Sequence, residues 1–69
     1  MDIRYSDHAE KRIKQRGITK LEVEYILKYP NYIKKSFEGT REAVGTIKNR
    51  TIKVKFVEKE KYIKIITII

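Results

Sequence analysis

Residues 41–57 read REAVGTIKNRTIKVKFV, and this stretch decides the fold. In its second half Ile52, Val54 and Phe56 alternate with Thr51, Lys53 and Lys55. That two-residue period is the pattern of a half-buried strand. Arg41–Ile47 forms a second strand-like run, and Lys48-Asn49-Arg50 between the two supplies a turn. Strands joined by so short a connection must run antiparallel. One face of such a hairpin is apolar and the other carries lysine, as in a sheet with one solvated side.

The same pattern extends in both directions. Toward the C-terminus, EKEK makes a charged turn and YIKIITII, residues 62–69, closes the chain. IITII is apolar in both phases, so it is either a central strand buried on both faces or an edge that pairs with a partner. Toward the N-terminus, NYIKKSF, residues 31–37, adds a strand, followed by the turn residues Glu38-Gly39-Thr40. Pro30 forbids any helix from running into it.

Two helices precede Pro30. The first is capped by Ser6 or Asp7, with Asp7 and Glu10 at capping-box spacing, and Gly17 stops it. Thr19-Lys20-Leu21-Glu22 is a second capping box, which starts a helix that runs to about Tyr29. Val23, Ile26 and Leu27 form its inward patch. Leu21, Tyr25 and Tyr29 form a second apolar face that the sheet edge, a second copy or a partner would have to cover. Ile3-Arg4-Tyr5 is a short opening strand or an extended arm. The expected class is α+β, a single domain over residues 1–69. Two N-terminal helices pack on a three- to four-stranded antiparallel sheet and cover Ile52, Val54, Phe56, Ile63 and Ile65.

Composition narrows the function. A chain of 69 residues has room for one domain. It has no cysteine and one histidine, which leaves no basis for a disulfide, a zinc site or any other metal site, and no cofactor motif is present. No apolar run reaches the ~18 residues of a membrane span. Met1-Asp2-Ile3-Arg4 lacks the order of a secretory signal, so the expected compartment is the cytoplasm. Abundant Lys and Ile without Cys or Trp fits a thermophile or an AT-rich genome. Seventeen Lys and Arg against nine Asp and Glu give a net charge of +8. Such a charge on a small surface favours RNA, DNA or an acidic protein partner, unless it serves solubility alone.

Two constellations could carry chemistry. On a helical wheel Arg12 and Arg16 project within about 60° of Ala9, on the inward edge of the first helix, and His8 follows on the same flank. Guanidinium forks match phosphate oxygens, and an imidazole can move a proton near neutral pH. The same arginines could instead pair with Glu10, Glu22, Glu24 or chain carbonyls, and His8 could simply pack beside Tyr5. The second constellation is the basic strand face of Lys53, Lys55 and Lys64, with Lys48 and Arg50 at the adjoining turn. It could track a nucleic-acid backbone with tyrosines as stacking platforms, or be ordinary solvated lysine. Hydrolase triads and Gly-rich phosphate loops have no counterpart here.

HAEKRIKQRGITKLEVEYIL, residues 8–27, resembles a family of small bacterial and archaeal domains of unknown function. The matching positions are His8, Ala9, Arg12, Arg16, Gly17, Ile18, Thr19 and Val23. The Tyr29-Pro30 pair, the hairpin AVGTIKNRTIKVKF and the final IKIIT extend the likeness over nearly the whole chain. That family is similar in fold to RelE-like and BrnT-like toxins of the barnase-like class, small metal-independent endoribonucleases. The resemblance implies an RNA-directed protein, with an acidic antitoxin-like protein as a partner. It also implies cleavage by attack of a ribose 2′-hydroxyl on the neighbouring phosphate, with His8 as base or acid and Arg12 and Arg16 on the phosphate. Arg50 or Lys53 would assist, and Thr67 would offer a hydroxyl from the last strand. Two other readings stand beside it: a nucleic-acid-binding module without catalysis, and a protein that forms a homodimer through its isoleucine-rich end.

Overall fold

The computed structural model describes residues 2–69, and Met1 lies outside them. The elements are β1 (Ile3–Tyr5), α1 (Asp7–Arg16), α2 (Lys20–Lys28), β2 (Tyr32–Lys35), a 3-10 turn (Phe37–Gly39), β3 (Arg41–Ile47), β4 (Arg50–Glu58) and β5 (Ile63–Ile68). They form an α+β domain with one five-stranded sheet in the order β1-β5-β4-β3-β2. Both helices lie on one face of it.

This corrects the expected sheet in two respects. The opening Ile3–Tyr5 is a fifth strand, and it pairs with Ile63–Ile65 in parallel, so the sheet is mixed. The crossover from β1 to β5 runs through the entire rest of the chain, which no local turn signal reports. The isoleucine-rich end is held between β1 and β4 as far as Ile65, and beyond it β5 pairs with β4 alone.

Local chemistry accounts for the helices. Ser6, in extended geometry, accepts the Ala9 N–H at 3.0 Å and caps α1 alone. The Asp7–Glu10 box is not used, because Glu10 reaches across to Lys20 at 2.7 Å. That contact holds the Glu10 carboxyl below its ordinary range, first through the hydrogen bond and then through the charge. Gly17 ends the helix at φ 67°, the left-handed position that glycine adopts without a Cβ clash. Thr19 and Glu22 complete their reciprocal box at 3.1 and 2.9 Å.

The core joins Ala9, Ile13 and Ile18 with Val23 and Ile26 above Ala43, Ile52, Val54, Phe56, Ile65 and Ile68. Ile65 and Ile68 are both fully buried although three residues apart. A bulge opposite Lys55 and Phe56 inserts Ile66 and shifts the alternation by one. This is why the final strand is apolar in both phases. Gly45 lets α2 settle on β3, since a Cβ there would meet Ile26 Cγ1 and Cγ2 at 3.0 Å.

Candidate functional site: a basic edge and a basic face

β1 stops at Tyr5, opposite Ile65. Beyond that point the outer edge of β5 would present unpaired carbonyls, and α1 supplies the donors. The Ser6 hydroxyl donates to the Ile66 carbonyl at 2.7 Å. Arg12 Nε donates to the Ile68 carbonyl at 3.2 Å. One N–H of the guanidinium is thereby spent, and the remaining four are not engaged by any hydrogen bond among the described residues. Arg12 thus stands at the sheet margin, on the inward edge of the helix, because it closes a strand there.

Arg16 lies one turn further on. Its own carbonyl, at the end of α1, accepts the Arg50 Nη2–H at 2.6 Å. The β3–β4 turn that aims Arg50 depends on Lys48 and Asn49, both at positive φ (50° and 66°). Arg12 thus reaches the C-terminal end of β5, while Arg50 reaches the C-terminal end of α1, where Arg16 lies one turn after Arg12. The ion pairs among the described residues are Arg4–Asp2, Lys20–Glu10, Lys34–Glu42 and Arg41–Glu58. None involves Arg12, Arg16 or Arg50, so no carboxylate among the described residues pairs with these three. His8 is exposed in the first turn of α1, about 6 Å of helix rise before Arg12 and on the same side.

The remaining expected residues lie elsewhere. Register pairs share a face, and Lys55 pairs with Thr67 whereas Val54 pairs with Ile68. The bulge therefore turns Thr67 to the open face of the sheet, away from α1, and the structure does not bring it together with His8. Lys53 and Lys55 occupy the same open face, with Lys64 further along β5 and Lys48 on the turn. Arg4 joins them from β1, stacked over the Tyr62 ring at 4.1 Å. This contribution was missed in the sequence because it needs the parallel β1–β5 pairing. Lys34 also lies on this face, paired with Glu42, the one acid that the strands place there. Val44, flanked in register by Tyr32 and Lys53, is buried on this face and lies outside the main core cluster.

The protein therefore carries two sets of basic residues, arginines along α1 and the β3–β4 turn and lysines on the open face of the sheet. Among the described residues no three His, Cys, Asp or Glu side chains gather into a metal site. No helix there is long and apolar enough to cross a membrane. The geometry defines a small α+β domain whose Arg12, Arg16 and Arg50 have no ion-pair partner among the described residues. The chain belongs to the family described as "Domain of unknown function (DUF4258)", which it matches over residues 5–69. Searches of curated proteins and of solved structures find no match.

Proposed function

We propose that this is an RNA-directed protein of the RelE/BrnT-like kind, which grips phosphate with Arg12, Arg16 and Arg50 and cleaves RNA without a metal. The observation that carries the reading is the absence of any carboxylate on those three guanidinium groups among the described residues, at a net charge of +8. Phosphate is the anion that guanidinium forks match in geometry, and RNA supplies it in series.

In the cleavage step the ribose 2′-oxygen bonds to phosphorus as the bond from phosphorus to the 5′-oxygen breaks. The 2′ proton passes to His8, and the leaving oxygen takes a proton from solvent. The arginines stabilise the charge that builds on the non-bridging oxygens. Lys53, Lys55 and Lys64 would hold the strand beyond the scissile bond. One observation favours a second reading, binding without cleavage: the lysine face and Thr67 lie on the opposite side of the sheet from His8.

Incubating end-labelled single-stranded RNA with the protein in EDTA tests both. The expected products end in a 2′,3′-cyclic phosphate, and His8→Ala abolishes them while RNA is still bound. Binding without fragments would leave the non-catalytic module. Neither binding nor fragments would remove RNA from the account.

A further inference from the structure

Among the described residues, β2 forms the edge of the sheet opposite β1 and has no strand on its outer side. β2 pairs with β3 on one side only, and all four of its residues, Tyr32–Lys35, are exposed. Ser36 N–H donates to the Thr40 carbonyl at 2.9 Å. Given the register Tyr32↔Val44 and Lys34↔Glu42, this sets the ladder so that the even-numbered residues bond to β3. Ile33 and Lys35 therefore turn their N–H and C=O groups outward. Such a row of alternating donors and acceptors recruits another strand.

Both flanks of this edge are concave. A groove of about 450 Å³ is lined by Lys34, Lys35, Ser36, Phe37 and Glu42. A second, of about 300 Å³, adds Ile33 and Arg41. Phe37 is 88% exposed, an unusual position for an aromatic ring, and Ile33 is 47% exposed. A strand laid against β2 would send alternate side chains into one groove and then the other.

We infer that β2 is a docking edge for an extended, acidic segment of another protein, added to the sheet as a sixth strand. Charge selects this occupant. Lys34, Lys35 and Arg41 line the grooves; Lys34 is paired with Glu42 and Arg41 with Glu58, and Lys35 carries no ion pair among the described residues. A carboxylate on the incoming strand would meet Lys35, in a chain of net charge +8, and its apolar side chains would cover Phe37 and Ile33. A second copy of this chain would set +8 against +8 and lysine beside lysine. A nucleic acid has no backbone amides to match the outward groups of Ile33 and Lys35. The inference is independent of the RNA reading, because β2 and α1 serve opposite edges of the sheet.

The test uses the full chain with a fluorescent peptide alternating Glu and Val, a Lys and Val peptide as control, and oligouridylate as competitor. The acidic peptide is expected to bind, with amide shifts at residues 32–37, and the basic peptide is not. Ile33→Pro removes an outward donor without touching the β3 ladder, and Lys35→Glu reverses a charge without changing the backbone. Each should weaken the peptide by roughly tenfold, the effect of losing one buried hydrogen bond or ion contact. The inference is overturned if both peptides bind alike, if neither binds, if neither variant matters, or if the shifts fall on α1. It is equally overturned if oligouridylate displaces the peptide from β2, or if the chain is a dimer that Ile33→Pro dissociates.

Discussion

Arg50 donates to the backbone carbonyl of Arg16 across 2.6 Å, tying the β3–β4 turn to the end of α1. A cation at a helix C-terminus satisfies an orphan carbonyl and complements the dipole. The contact also brings the Arg50 side chain to the helix end that carries Arg16, and none of the ion pairs among the described residues involves either arginine.

Arg50→Ala should therefore have two effects. It should lower stability by about 0.3–1 kcal/mol, the usual worth of such a contact at an exposed helix end. Thermal unfolding followed by circular dichroism would show this as a drop of a few degrees, since ~1 kcal/mol moves Tm by about 4–8 °C in a domain of this size. It should also weaken RNA binding, which separates it from a purely structural arginine.

Gly45→Ala should destabilise through crowding. The new methyl meets two Ile26 carbons at 3.0 Å in a fully buried site. Forcing them apart costs about 1–3 kcal/mol. Combined with Ile26→Ala, the loss in chemical denaturation should be smaller than the sum of the two single losses, because the second change removes the atoms in the way.

Tyr5 should govern the alkaline limb of stability. Its hydroxyl is buried without a hydrogen-bond partner among the described residues. Burial first, then the charges of Glu24 and Glu10, push its pKa from 10.0 up to about 12. The folded state thus holds the phenol proton more tightly than the unfolded chain does. This contribution is complete below pH 10 and is lost as the pH rises from about 10 to about 12. Tyr5→Phe should flatten that limb in pH-dependent unfolding. At pH 7 it should leave stability within about 1 kcal/mol of the parent, on the stabilising side, because it removes an unpaired buried hydroxyl.

Much of this architecture is written locally, and the exceptions have physical reasons. Gly17, the Thr19–Glu22 box, Pro30 and the alternation of 51–57 each act within a few residues, and each appears in the structure where its chemistry puts it. The parallel partner of Ile3–Tyr5 lies some sixty positions away, beyond the reach of any periodicity. Thr67 was read with His8 and Arg12, but the insertion of Ile66 reverses its side of the sheet. No residue type marks that bulge. The inward placement of Arg12 was legible on the helical wheel, whereas its target, the Ile68 carbonyl, follows from where β1 ends.

The salt dependence of binding to single-stranded RNA tests the central claim most directly. If Arg12 and Arg16 clasp phosphate, Arg12→Ala/Arg16→Ala should bind more weakly. The slope of log affinity against log salt should also fall by about 0.7 for each arginine removed, as each released counterion is lost from the balance. An unchanged slope in a folded double variant would mean that the arginine edge touches no phosphate, and the account would fail.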